Sequence, residues 1–169
     1  MKKRLLVVLL VLLLSLTSLF AANKRLGIGT GLVLRAPFGI AAIGEYDFGP
    51  ARVNLTLGYI TYFQNKPGLF HLGVGGEYVF PGLFQNNDLN FGLKMSVGGR
   101  IDLGFSQYST LIGIGVPITF AYYFDSVPIK IYGSGIPGVM ISLYEDPFYG
   151  PSNDALLSAQ VEIGAMWLF

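Results

Sequence analysis

Between Asn90 and Phe105 bulk and charge fall on opposite faces of an extended chain. The odd positions carry Phe91, Leu93, Met95, Val97, Ile101, Leu103 and Phe105; the even positions include Asn90, Lys94, Ser96, Arg100 and Asp102. Successive side chains of a β-strand point to opposite sides, so a period of two specifies a strand with one apolar and one ionic face. Two architectures accept such a strand. In a soluble sandwich the apolar face meets a core and the charged face meets water. In a membrane barrel the apolar face meets lipid and the polar face lines a lumen.

Composition decides between them. Charged residues make up 12% of the chain, about half the roughly 25% of an ordinary soluble domain. No segment beyond the N-terminal one reads as a membrane helix. Residues 103–124 lack charge, but Ser106, Gln107, Ser109, Thr110 and Pro117 interrupt them, giving two strands and a turn. An apolar chain without helical spans can cross lipid with every backbone group paired only as a closed barrel.

Turn signals divide the rest into eight segments of this kind: 25–36, 39–48, 51–63, 70–80, 89–105, 110–124, 127–143 and 155–169. The expected fold is therefore all-β, an eight-stranded antiparallel up-and-down transmembrane β-barrel. Gly49-Pro50, residues 81–88 and Asp125-Ser126 form one set of connections. Pro37-Phe38 and residues 64–69, 106–109 and 144–154 form the other, which is extracellular if both chain ends lie in the periplasm. Tyr46, Phe48, Tyr78, Phe80, Phe91, Tyr122, Phe124, Trp167 and Phe169 fall at strand ends on the periplasmic side, each with outward parity. Phe63, Phe70 and Phe105 do the same at the other rim. Interfacial girdles have this distribution; the general enrichment of aromatics in strands does not account for the clustering at ends.

The N-terminus reads as a signal peptide. Lys2, Lys3 and Arg4 precede an unbroken apolar run at 5–14, and residues 15–22 lead to Ala21 and Ala22. Cleavage there divides the chain into a signal peptide, 1–22, and a barrel domain, 23–169. The alternative is an uncut anchor, since 5–22 can just span a bilayer, and Lys24 and Arg25 lie close behind the site. The absence of cysteine excludes a lipoprotein anchor and disulfides. Without Lys2, Lys3 and Arg4, eight Lys and Arg face ten Asp and Glu, which offers no basic stripe to a nucleic acid.

Inward parity falls on Glu45, Asp47, Arg52, Glu77, Lys94, Arg100, Asp102, Lys130 and Glu162, together with His71. A short turn sets Asp47 across from Arg52, and one register sets Glu77 across from Lys94. Eight strands enclose room only for side chains or one small ligand. Unpaired charge there is costly, so these residues read as an ion-pair network that plugs the barrel. A charged permeation path is the competing reading. Inward glycines, among them Gly27, Gly73 and Gly75, leave space for the long side chains.

Chemistry beyond this is thinly signalled. His71 is the only histidine; a Ser–His–acid set needs a Ser and a carboxylate converging on it, and no Ser lies two residues away. One His and no Cys give no metal site, and no cofactor motif is present. Pro117 and Pro137 interrupt adjacent strands, where proline removes a ladder donor. They read either as bulges that bend the strands or as a lateral gap to the outer leaflet, in position similar to that of the lipid A palmitoyltransferase barrel.

The chain ends Glu162-Ile163-Gly164-Ala165-Met166-Trp167-Leu168-Phe169. Glu162, Gly164, Trp167 and Phe169 resemble the terminal strand by which outer-membrane barrels are recognised for insertion. With the signal peptide, eight amphipathic segments and girdles, the whole chain resembles the small eight-stranded outer-membrane β-barrel proteins of OmpA, OmpX and OmpW type. The resemblance implies export to the bacterial outer membrane, with outer-membrane lipid and the barrel-insertion machinery as partners. It selects no subfamily. Adhesin-like members carry long external loops, whereas only residues 144–154 are long here. Two functions remain: a non-enzymatic barrel with a structural or surface-interaction role, or one that passes a small hydrophobic ligand through a gap near Pro117 and Pro137.

Overall fold

The computed structural model describes residues 26–34, 38–61, 68–80, 92–106, 109–124, 126–146 and 150–169, with side chains outside that description at 144–146 and 150–154. Nine strands run through them: β1 (Leu26–Leu34), β2 (Phe38–Asp47), β3 (Ala51–Ile60), β4 (Leu69–Phe80), β5 (Leu93–Phe105), β6 (Ser109–Gly115), β7 (Ile118–Tyr123), β8 (Ile129–Asp146) and β9 (Gly150–Leu168). All neighbours are antiparallel, and the sheet closes on itself through β4 and β5. Both β6 and β7 lie between β5 and β8, so they are halves of one wall strand and the barrel has eight.

Closure joins the first strand to the last. Gly27 pairs with Leu168, and the Phe169 amide donates to the Leu26 carbonyl at 2.8 Å. The wall is also staggered. From Ile60 the registered partners run through Gly39, Val33, Glu162, Ser134, Thr119, Ser96 and Val79 to Pro50, ten residues lower than the start. That offset tilts the strands enough to shut an eight-stranded sheet into a cylinder.

The alternation points outward as a lipid-facing wall requires. Arg100 and Asp102 are 4% and 8% exposed, whereas Ile101 between them is 55% exposed. On β3, Arg52, Thr56 and Ile60 are buried while Val53, Leu55, Leu57 and Tyr59 are exposed. A soluble sheet would show the reverse.

Several boundaries differ from the expectation. The sixth segment divides at Val116-Pro117, yet Arg100↔Gly115 and Val97↔Ile118 keep one register, as do Gly115↔Gly138 and Ile118↔Gly135. No residue is inserted, so the expected bulges are absent. The 144–154 connection is largely strand: β8 reaches Asp146 and β9 begins at Gly150. Gly49 alone among the described glycines takes a left-handed backbone, φ 87°, in the turn where the Phe48 amide meets the Ala51 carbonyl at 2.7 Å.

The rim of Leu26 and Leu168 is called the lower rim; the opposite one is the upper. At the lower rim Tyr46–Phe48, Tyr78–Phe80 and Tyr122–Phe124 form edge-to-face pairs with centroids 4.7, 5.2 and 4.9 Å apart. Phe70 and Phe105 face out at the upper rim; Phe63 and Phe91 lie outside the described residues. Leu55 is midway along β3, far from either girdle. Leu55→Lys is expected to destabilise the barrel by about 2–4 kcal/mol, and Phe48→Lys at the rim by about 0–1 kcal/mol, in urea titrations of protein folded into vesicles.

Candidate functional site

The lumen holds three layers. Nearest the lower rim, Arg52 Nε binds Asp47 at 2.7 Å and faces Glu45 at 3.5 Å, and Lys130 pairs with the same Glu45 carboxylate. β2 supplies both acids, β3 the arginine and β8 the lysine. The Arg52 guanidinium also donates to the Tyr123 hydroxyl, while the Lys130 ammonium sits 5.8 Å from the Tyr123 ring and 5.5 Å from the Tyr132 ring. Beside them Glu77 accepts from Asn54 at 2.7 Å and from the Ser96 hydroxyl.

The second layer is built on Arg100. Its Nε meets Asp102 at 2.8 Å and its Nη1 meets Glu162 at 2.8 Å. The same Asp102 oxygen, Oδ1, is shared with His71 Nε2 at 2.7 Å, and Gln160 donates to Glu162 at 2.8 Å. These groups come from β4, β5 and β9. Gly73 of β4, opposite Asp102, leaves the guanidinium its space, because a Cβ there would overlap it. Above lies the third layer, an apolar stopper. Val33, Ile60, Leu69 and Leu111 are buried at the upper end of the lumen, with Met140 packed against them.

Charges withdrawn from water are tolerable when paired and hydrogen-bonded. Arg52, Arg100, Lys130, Glu45 and Glu162 are all buried and all paired. His71 Nδ1, Thr56 Oγ1 and Tyr132 Oη have no partner among the described residues, and groups of this kind are ordinarily satisfied by internal water. His71 Nε2 is held by Asp102, and no Ser or Thr hydroxyl among the described residues is hydrogen-bonded to the imidazole. That geometry ties the imidazole to the Arg100–Asp102 pair.

Of the ten residues with inward parity, seven take part in the ion pairs just described, Asp47 opposite Arg52 among them, and His71 is hydrogen-bonded to Asp102. Glu77 stands opposite Arg52 in the ladder and accepts hydrogen bonds from the neutral side chains of Asn54 and Ser96. Lys94 departs from expectation. Glu77 is opposite Gly98, and Lys94 lies further down β5, opposite Ala121. Lys94 is exposed at the lower mouth with its ammonium 4.7 Å from the Tyr123 ring.

Sequence reasoning missed the stopper and the tyrosines. Val33, Ile60, Leu69, Leu111, Tyr123 and Tyr132 share the inward parity of the charges, and that parity was the available signal. At the terminal strand, Glu162 is the partner of Arg100, Gly164 packs beside the Tyr132 hydroxyl, and Trp167 faces outward. Pro117 is buried toward the lumen and Pro137 faces out. The Gly98 amide still reaches the Pro117 carbonyl at 3.1 Å, and the Val116 amide reaches the Pro137 carbonyl at 2.9 Å. Each proline omits one return bond, in two different seams.

No family model matches this chain, and no curated protein matches it. Two solved structures share its fold. A major outer membrane protein from Thermus thermophilus superposes with a TM-score of 0.53 at 14% identity, over 86% of this chain and 99% of that one. Neisserial surface protein A gives 0.51 at 14% identity, over 86% and 95%.

Removing one partner of a buried pair leaves the other charge uncompensated. Arg100→Met is expected to cost about 3–5 kcal/mol, against less than about 1 kcal/mol for Lys94→Met at the wet mouth. Equilibrium unfolding of the two variants in micelles measures the difference.

Proposed function

We propose that this chain is a non-enzymatic bacterial outer-membrane protein, exported by its N-terminal segment, whose sealed barrel anchors a surface-interaction element. The observation that carries the reading is the content of the lumen. Two ionic layers and the apolar stopper fill it from Tyr123 to Leu69. A charged path would need continuous water along the axis, and Ile60, Leu69, Val33 and Leu111 stand across it, each at most 8% exposed. The likeness of fold to two outer-membrane proteins and the outward apolar wall support the location.

The surface element is the β8–β9 hairpin, whose strands run on beyond the last β1–β9 pair, Leu34↔Val161. Passage of a small hydrophobic ligand near Pro117 and Pro137 has less support. The ladder continues through both prolines, and the crevice there, between Asp102, Ile136 and Gln160, holds about 10 Å³. That is room for about one water. A concavity of about 770 Å³ does exist, but it lies on the outer wall among Leu32, Ile40, Leu57 and Phe70.

Two measurements test the reading. Purified protein in planar bilayers is expected to show no steady open level; a stable conductance would contradict the seal. Phe169→Ser is expected to lower the folded, membrane-inserted fraction in cells while detergent refolding stays normal. Equal assembly of the variant would contradict recognition of the terminal strand by the insertion machinery.

A further inference from the structure

The outer wall is not evenly bulky. Registered outward residues form slanting rows, and one row reads Ala165, Thr30, Ala42 and Leu57 across β9, β1, β2 and β3. The row above it reads Ile163, Leu32, Ile40, Tyr59 and Phe70. Trp167 and Ile28 stand on the row below. Three small side chains in succession therefore lie between bulky banks, and Ile40 beside them is 67% exposed. Together they form the outer-wall concavity of about 770 Å³, and every residue that lines it belongs to a described strand.

The rows descend from β3 through β2 and β1 to β9, following the same offset that closes the barrel. From β4 to β9 there are four inter-strand steps of about 4.8 Å, so the trough is roughly 19 Å long. With strands tilted by about 35–45°, it falls by roughly 12 Å over that length, about half of an apolar band of about 25 Å. Its upper end, at Tyr59 and Phe70, lies at the upper girdle, where headgroups begin. The trough thus has the depth of one leaflet and opens where the chains of a lipid start.

This wall faces lipid, so its occupant comes from the membrane. A void there would deprive the lining atoms of dispersion contacts. Outward residues of one strand are about 6.6 Å apart, so the banks above and below Thr30 stand about 13 Å apart at the backbone, and their side chains narrow the opening further. A helix of about 10–12 Å diameter does not enter such a slot. A second copy inserted in the same sense is related by a two-fold axis along the membrane normal. Its slanting rows then cross the trough close to a right angle and meet it at one point. An extended hydrocarbon chain can lie along the whole of it.

We propose that β9, β1, β2 and β3 hold one acyl chain of a membrane lipid, its headgroup at the upper rim and its chain in the trough floored by Ala165, Thr30 and Ala42. The site is continuous with the lipid-facing surface of the barrel. It needs only that outward apolar face and is independent of any surface role of the β8–β9 hairpin.

Trp167, the only tryptophan, borders the lower end of the trough and reports on it. The full chain is folded into phosphatidylcholine vesicles that contain a small fraction of the same lipid brominated near the ends of its chains. Quenching of Trp167 is expected to exceed the level set by the mole fraction of brominated lipid by roughly threefold or more. Ala42→Phe fills the trough without touching the lumen and is expected to remove the excess; Thr30→Leu is expected to lower it. Ile112→Phe, on the far side of the wall, is expected to leave it unchanged.

Quenching of the unaltered chain at the mole-fraction level, or an equal excess in Ala42→Phe, would overturn the site. Disulfide-linked dimers of Ala42→Cys in the vesicles would make a second copy the occupant, which overturns it as well. Vesicles made wholly of brominated lipid test the orientation of the wall separately. Unquenched Trp167 there refutes the lipid-facing wall, whereas strong quenching there without excess in the dilute mixture refutes the trough alone.

Discussion

The hydrogen-bonding demand of the backbone in a medium without water governs this structure. Every peptide group in the lipid band must find a partner within the protein, and for strands only a closed ladder provides it. The ten-residue offset around the wall, the pairing of β1 with β9 and the survival of the ladder through Pro117 and Pro137 all serve that demand. Once the wall is closed, period-two alternation sorts the side chains. The apolar set has lipid to face, and the ionic set has nowhere to go but inward.

A narrow interior then imposes its own condition. Arg52, Arg100 and Lys130 each reach an acid on another strand, and these ion pairs fasten strands together, in two cases strands that are not neighbours in the wall. Glu162 of β9 is tied to Arg100 of β5, and Glu45 of β2 to Lys130 of β8. Buried pairs of this sort contribute little net stability compared with apolar packing. Here they tie β5 to β9 and β2 to β8 beneath the buried apolar residues Val33, Ile60, Leu69 and Leu111.

Most of the wall was legible because alternation encodes both strand and face. Arg100, Ile101 and Asp102 fix the orientation of β5 in three letters. The parity of every charged lumen residue follows from the same rule. Partners were less legible, since pairing depends on register and register depends on connections. A two-residue turn at Gly49-Pro50 set Asp47 against Arg52, whereas the long connection after Phe80 left Lys94 free to slip past Glu77 to the mouth. The stopper was missed because only the parity of Val33, Ile60, Leu69 and Leu111 marks them as inward, with no charge to draw attention to it. The β8–β9 extension was hidden because Pro147 and Pro151 make a strand read as a loop. The expected signal peptide, residues 1–22, and residues 81–91 lie outside the described residues.

The central claim is that the bulky face of each strand touches lipid and the ionic face is enclosed. The chain has no native cysteine, so single cysteines carrying a fluorophore can report position by position in vesicles of brominated lipid. Labels at Leu55 and Ile163 are expected to be strongly quenched, and labels at Ser96 and Thr119 weakly. Quenching at Ser96 and Thr119 with none at Leu55 and Ile163 would contradict the account.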